Sequence, residues 1–301
     1  MITDTEQIKN TPSPALTASA NDDHWDEIIR PETGLFELNL KEVWKYRDLL
    51  MLFVKRDFIA QYKQTILGPI WHIIQPVFTT IMFLLVFGKI ANIPTDGLHP
   101  ILFYMSGITI WSYFSACLTA TSNTFVANAG IFGKVYFPRL VIPLSTVMSN
   151  MVKFGIQFGL LLAVMLWLGV QTGKFYFGIN WLLIPVLVVM MGGLGLGLGI
   201  IISSLTTKYR DFTVLIGFGV QLAMYVTPVA YPLSFLEGKS YKWVVDANPL
   251  SSVVEAFRFA LFNEGTVSIA SLGYSFLFMI ASLFFGMLIF SKVERSFMDT
   301  V

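Results

Sequence analysis

The chain has 301 residues, of which 55% are hydrophobic and 13% charged, and its formal net charge is +1. Charged residues are too few to form the polar shell that a soluble globule of this size needs, so the composition excludes a soluble fold. The balanced charge, with no basic cluster, predicts no nucleic-acid partner. Eleven of the 19 acidic residues lie at or before Asp57. The sequence therefore predicts a polar N-terminal region on a membrane-embedded body.

The N-terminal region divides into two parts. Residues 1–34 are polar and contain no apolar run of the kind a signal peptide needs, so we expect a disordered cytoplasmic extension. Between about residues 38 and 66, apolar side chains recur every three to four positions and basic side chains lie between them. This spacing is typical of an amphipathic helix, and the basic face predicts that the helix lies on the membrane surface.

Six later stretches contain about 20 apolar residues each, the length that crosses the hydrocarbon layer. They are residues 70–91, 101–122, 141–170, 179–205, 212–231 and 269–290. An even number of spans puts both termini on one side, and most Lys and Arg residues lie on that side, which predicts cytoplasmic termini. The predicted fold is an all-α integral membrane protein, with residues 35–301 forming one six-span domain.

The segment from Pro232 to Thr266 is too long for a hairpin and too mixed for a span. Its apolar run, Val253–Phe262, has about ten residues, which is too few to cross a membrane. We therefore expect one or two re-entrant helices between spans five and six, packed against protein or lining a cavity. Glu255 and Arg258 lie three residues apart in this run and could pair on a helix, more plausibly as a stabilising contact than as a moving latch.

Catalytic and metal-binding patterns are missing from the sequence. No predicted span contains Asp or Glu, the three histidines are scattered, and the single cysteine lies in an apolar run. We predict no catalytic residue, metal or cofactor on this chain. Energy for any uphill transport is expected to come from another subunit. A membrane acyl- or glycosyltransferase remains an alternative, in which His99 with Asp96 would form the only plausible catalytic pair. Lys153, the one charge deep in a span, either faces a hydrated pathway or snorkels.

Two further patterns concern helix packing and a possible passage. The pairs Gly193/Gly197 and Gly195/Gly199 predict close approach of helices, with packing inside the chain favoured over a subunit interface.

Five aromatic residues of spans two and five are candidates to line a passage, where their rings could stack on the apolar faces of sugars. They are Tyr104, Trp111, Tyr113, Phe114 and Tyr225.

Four patterns, in chain order, resemble one family: the permease subunits of type-2 ABC exporters that move lipid-linked polysaccharides such as O-antigen, capsule or teichoic acid. They are Arg56-Asp57 with Tyr62 to Trp71 and Gln75-Pro76; Lys134 to Arg139 with Pro143; Lys208 to Asp211; and Thr227-Pro228-Val229 with Tyr231-Pro232, Asn248-Pro249 and Glu255 to Arg258. The resemblance in which these patterns lie extends over roughly residues 38–295.

The resemblance implies a homodimer in the bacterial inner membrane, surrounded by membrane lipids and carrying an undecaprenyl-linked polysaccharide. It also implies a separate cytoplasmic ABC ATPase that binds ATP and magnesium. An exporter of a drug or lipid is the alternative within transport.

The resemblance also assigns roles to three sets of residues. Contact with the ATPase is expected after the second span, at Phe132, Gly133, Lys134, Val135 and Arg139. A cytoplasmic gate near the lipid pyrophosphate is expected at Lys55, Arg56 and Lys63. An outer gate is expected at Pro228, Tyr231, Asn248, Pro249, Glu255 and Arg258.

Overall fold

A computed structural model describes residues 40–63, 65–132, 137–207, 209, 211–265 and 267–298. All regular structure in these ranges is helical, as the sequence predicts. The predicted extension, residues 1–34, lies outside the described residues.

The chain forms eleven α-helices within the described ranges. They are α1 (Leu40–Lys45), α2 (Arg47–Tyr62), α3 (Trp71–Phe83), α4 (Pro100–Ser122), α5 (Thr124–Phe132), α6 (Val141–Thr172), α7 (Leu183–Thr206), α8 (Phe212–Val226), α9 (Lys242–Asp246), α10 (Pro249–Phe262) and α11 (Ile269–Met298). Short 3-10 turns occupy Gly68–Ile70, Ile179–Leu182 and Leu233–Leu236, and α3 continues as π-helical turns over Leu84–Ile90.

Contacts between the helix ends define two ends of the bundle. At the α2 end, the Thr206 hydroxyl donates to the Ser122 carbonyl at 2.9 Å, which joins the last turns of α7 and α4. At the α10 end, the Asn180 amide donates to the Asn263 side-chain oxygen at 2.7 Å, beside the start of α7 and the end of α10. The long helices run between these two ends.

Among the described residues, five helical segments are long and apolar enough to cross a membrane. They are Gly68–Ile90, Pro100–Ser122, Val141–Thr172, Ile179–Thr206 and Ile269–Val293. These bounds agree with five of the six predicted spans to within a few residues. The bundle is therefore that of a multi-pass membrane protein.

The remaining predicted span, residues 212–231, is only partly helical. Helix α8 has 15 residues and ends at Val226, because Pro228 forces the residue before it, Thr227, into an extended conformation (φ −86°, ψ 140°). At 1.5 Å per residue, α8 is about 22 Å long, short of the roughly 30 Å hydrocarbon layer. Turn and bend residues at 227–231 connect α8 to the 3-10 turn Leu233–Leu236.

The predicted surface helix forms two helices rather than one, because the chain bends at Tyr46 between α1 and α2. Phe53 is buried, and its ring lies 5.7 Å from that of Phe137, so α2 packs against the bundle. Met51, Leu52 and Ile59 remain exposed on other sides of α2.

The glycine repeat of α7 packs inside the chain, as the sequence analysis favoured. A Cβ atom at Gly195 would lie 2.7 Å from the Cys117 Cβ of α4, and one at Gly197 would lie 2.8 Å from the Leu283 amide of α11. The two registers of the repeat therefore face two different helices. Close approach of α7 to α4 and α11 builds the centre of the bundle.

Candidate functional site

A buried arginine joins α10 to the backbone that follows α8. Arg258 is 1% exposed. Its Nη1 donates to the Pro228 carbonyl at 2.7 Å and to Glu255 Oε1 at 3.2 Å, and its Nη2 donates to the Val229 carbonyl at 2.7 Å. The planar guanidinium group thus donates to two carbonyls and a carboxylate. Its fixed arrangement of N–H groups is suited to several acceptors at once. We call Arg258, Glu255, Pro228 and Val229 the arginine clamp.

Helix α4 packs against the arginine clamp and leaves room for the Arg258 side chain. The Arg258 guanidinium carbon lies 3.8 Å from the centroid of the Phe103 ring, a distance at which a cation–π contact is favourable. A Cβ atom at Gly107 would lie 2.6 Å from Arg258 Nη2 and 2.9 Å from the Val229 carbonyl oxygen. Only glycine at position 107 therefore leaves room for the guanidinium between α4 and the chain after α8.

Glu255 depends on Arg258 for its charge. The carboxylate is 6% exposed and also accepts a hydrogen bond from the Leu233 amide at 3.3 Å. Burial raises the pKa of Glu255, and the positive charge of Arg258 opposes that rise. The pairing predicted from the spacing of these two residues is confirmed.

Asn248 fixes the start of α10. Its side-chain oxygen accepts a hydrogen bond from the Leu250 amide at 3.0 Å, and its side-chain amide donates to the Thr227 hydroxyl at 2.9 Å. Asn at the N-cap followed by Pro249 at the first helical position is a favoured start for a helix. The Pro249 carbonyl accepts a hydrogen bond from Ser275 of α11.

We expect Asn248→Ala to lower the free energy of unfolding by about 1 kcal/mol, since it removes both the cap and the bond to Thr227. Asn248→Asp keeps the cap acceptor and should lose less. Thermal unfolding of the purified protein in detergent measures both variants. Equal losses in the two variants would contradict the assignment of Asn248 as the cap.

Tyr231 ties the same connection to the end of α8. Its hydroxyl donates to the carbonyls of Tyr225 and Val226, with O–O distances of 3.0 and 3.1 Å. The structure thus brings the six predicted outer-gate residues together around the connection between α8 and α10.

The predicted ATPase-contact residues are only partly described. Phe132 is buried in an aromatic cluster with Phe125, Phe137 and Phe290, and the Arg139 guanidinium carbon lies 5.2 Å from the Phe132 ring centroid. Gly133, Lys134 and Val135 lie outside the described residues. Phe132 and Arg139 therefore hold the two ends of this segment against the bundle.

The predicted cytoplasmic-gate residues lie on and after α2, at the same end of the bundle. Lys55 and Lys63 are exposed. The Arg56 guanidinium contacts two nearby side chains. Its Nη2 donates to Asp57 Oδ1 at 2.8 Å, and its guanidinium carbon lies 4.6 Å from the Phe53 ring centroid. The two lysines are the accessible cations of this set.

Most of the aromatic residues predicted to line a passage lie inside the chain. Tyr104, Trp111, Tyr113 and Phe114 are buried, because α4 is surrounded by α3, α6, α7 and α10. Tyr225 on α8 is 55% exposed.

Lys153 has a local partner that the sequence analysis did not identify. Its ammonium donates to the Asn150 side-chain oxygen at 2.9 Å. Asn150 lies one turn closer to the α2 end, so the lysine side chain is directed towards that end, as a snorkelling lysine would be.

The long apolar helices define the chain as a multi-pass membrane protein. Residues 48–262 match the family of ABC-2 type transporters, and the chain belongs to this family.

Curated relatives align along most of their length. An O-antigen export system permease protein RfbA of Klebsiella pneumoniae is 27% identical over 253 residues, which cover 84% of this chain and 94% of the relative. A protein of the same name from Myxococcus xanthus is 28% identical over 230 residues, covering 75% and 84%. The polysialic acid transport protein KpsM of Escherichia coli is 21% identical over 248 residues, covering 81% and 93%.

Proposed function

We propose that this chain is the membrane subunit of an ATP-driven exporter that moves a lipid-linked polysaccharide across the bacterial inner membrane. The observation that supports this most is the family match over residues 48–262, together with relatives named for O-antigen export and polysialic acid transport that align with 84% and 81% of the chain. An undecaprenyl carrier is the lipid we propose. The permease itself is a transport subunit, and ATP and magnesium would bind to a partner ATPase.

The proposed topology has six spans with α8 as the fifth, and α9 and α10 as re-entrant helices on the outer side. Contacts of α8 support this, because Thr213 at its start reaches Asn123 at the α2 end and the backbone after it enters the arginine clamp. Basic residues at the α2 end support cytoplasmic termini under the positive-inside rule.

In this scheme the α2 end of a homodimer receives two ATPase subunits. The segment between Phe132 and Arg139 would make the contact, with Lys134 as its central charge. Lys55 and Lys63 would meet the negative pyrophosphate of the lipid carrier, and Arg56 would join them after release from Asp57. The arginine clamp would hold the outer gate closed, and Tyr225 is the predicted aromatic residue that we propose for contact with the glycan.

Two alternatives receive less support. An exporter of a drug or lipid is disfavoured by the names of the relatives, each of which concerns a polysaccharide. A membrane acyl- or glycosyltransferase that used His99 with Asp96 is disfavoured because the same relatives are named for export or transport. Export that survives alanine at both Asp96 and His99 would remove the second alternative.

Reversing the charge of Lys134 is expected to weaken ATPase association about tenfold and to lower export, because like charges across an interface repel. Membrane insertion should be normal. The measurement is co-purification of the ATPase with Lys134→Glu. Lys174→Glu, an exposed cation at the α10 end, is the matched control and should change neither quantity. Unchanged association in Lys134→Glu would contradict the proposed contact.

Purification of the tagged chain from its native membrane tests the ATP-driven part of the proposal. We expect a stoichiometric ABC ATPase in the eluate, identified by mass spectrometry. A complex shown to be intact but lacking any ATPase would favour a self-sufficient carrier or a membrane enzyme.

A further inference from the structure

A cavity of about 360 Å³ lies beside the connection between α8 and α9. Its walls are aromatic and aliphatic side chains from the end of α8, the 3-10 turn and α9. They are Tyr225, Val226, Tyr231, Phe235, Leu236, Tyr241, Val244 and Val245. The volume is near the lower limit of small-ligand sites, which span about 300–1,000 Å³, so it suits one small chemical unit.

Aromatic rings with polar tips form the mouth of this cavity. Tyr225 and Tyr241 are 55% and 53% exposed, so their rings lie at the rim. The Lys239 ammonium lies 3.7 Å from the Phe235 ring centroid and 5.9 Å from that of Tyr241. The rim therefore offers flat apolar faces beside hydroxyl groups and a hydrogen-bond-donating cation.

The cavity wall is held in place by the hydrogen bonds already described. Tyr231 is bonded to the carbonyls of Tyr225 and Val226, and the next carbonyls along the chain, those of Pro228 and Val229, belong to the arginine clamp. A wall fixed before binding spares a ligand the entropic cost of ordering it.

We propose that this cavity binds one pyranose unit of the exported glycan, an inference that rests on the function proposed above. A pyranose ring has an apolar face of C–H groups, which stacks on an aromatic ring, and a rim of hydroxyls, which needs hydrogen-bond partners. Aromatic walls beside Tyr hydroxyls and the Lys239 ammonium match both parts. A lipid acyl chain would use only the apolar walls.

Photo-crosslinking in polysaccharide-producing cells tests the site. The chain carries p-benzoylphenylalanine in place of Phe235, and the matched control carries it in place of Phe177, which is 62% exposed at the same end of the bundle but outside the cavity. After illumination, we expect a high-mass smear that stains for carbohydrate from the Phe235 variant and not from the Phe177 variant. Adding Tyr241→Ala should reduce the smear about fivefold, the effect of losing one aromatic partner.

Three results would overturn the proposal: phospholipid adducts alone at position 235, no adduct there, or equal carbohydrate labelling at both positions. Surface polysaccharide in cells lacking the gene is measured in parallel. If deletion abolishes surface polysaccharide but position 235 captures none, the cavity assignment fails and the proposed function stands. If deletion leaves it unchanged, the proposed function fails.

Discussion

Arg258→Met is expected to destabilise the protein more than any other single change at the α10 end. The substitution leaves the Glu255 carboxylate buried without its charge partner and leaves the Pro228 and Val229 carbonyls without their donor. Removing one member of a buried ion pair costs about 3–5 kcal/mol. We expect a large fall in the thermal unfolding temperature in detergent, and loss of the fixed connection between α8 and α10.

Further variants separate the charge from the hydrogen-bond geometry. Glu255→Gln combined with Arg258→Met should recover part of the loss, since no buried charge remains unpaired. Arg258→Lys should have an unfolding temperature between those of the wild type and Arg258→Met, because one ammonium lacks the planar fork that reaches both carbonyls. Lys174→Met, at an exposed cation of the same end, should leave the unfolding temperature unchanged. Wild-type stability in Arg258→Met would contradict the arginine clamp.

Gly197→Ala is expected to be the most damaging small substitution in the centre of the bundle. The new Cβ atom would lie 2.6 Å from the Ser282 hydroxyl and 2.8 Å from the Leu283 amide nitrogen of α11. Backbone atoms of a packed helix cannot move aside alone, so α7 and α11 would have to separate. Overpacking of this kind costs about 1–3 kcal/mol or more.

Gly159→Ala on α6 is the control for Gly197→Ala. No described atom lies within 4 Å of a Cβ atom at Gly159, so the change adds only the better helix propensity of Ala, about 0.8–1 kcal/mol. We expect Gly197→Ala to give less folded, monodisperse protein on size-exclusion chromatography and Gly159→Ala to give at least as much as the wild type. Equal yields and equal unfolding temperatures would show that α7 and α11 do not pack as closely as described.

The long helices follow from sequence because membrane crossing depends on local composition. Predicted spans 101–122 and 179–205 differ by one residue at most from the observed helical segments at each end. In the fifth predicted span the helix ends at Val226 rather than at residue 231, because hydropathy ignores the effect of Pro228 on the residue before it. The same reasoning shows why an apolar stretch of 20 residues is not always one helix.

The candidate site was predictable only where its contacts are local. The pairing of Glu255 with Arg258 could be read from their spacing on one helix. The carbonyl partners of Arg258 lie 29 and 30 residues away, and the glycine that makes room for it is on α4. The burial of the α4 aromatic residues was likewise not predictable, since the sequence does not tell which helices surround α4.

Surface display of polysaccharide in cells that lack this chain tests the proposed export function. The gene is deleted, a wild-type copy is returned, and polysaccharide is measured at the cell surface and, still attached to lipid, inside the cell. We expect deletion to remove the surface polymer and to cause the lipid-linked form to accumulate inside, and we expect the wild-type copy to reverse both effects. Normal surface polymer in the deletion strain, without internal accumulation, would contradict that function.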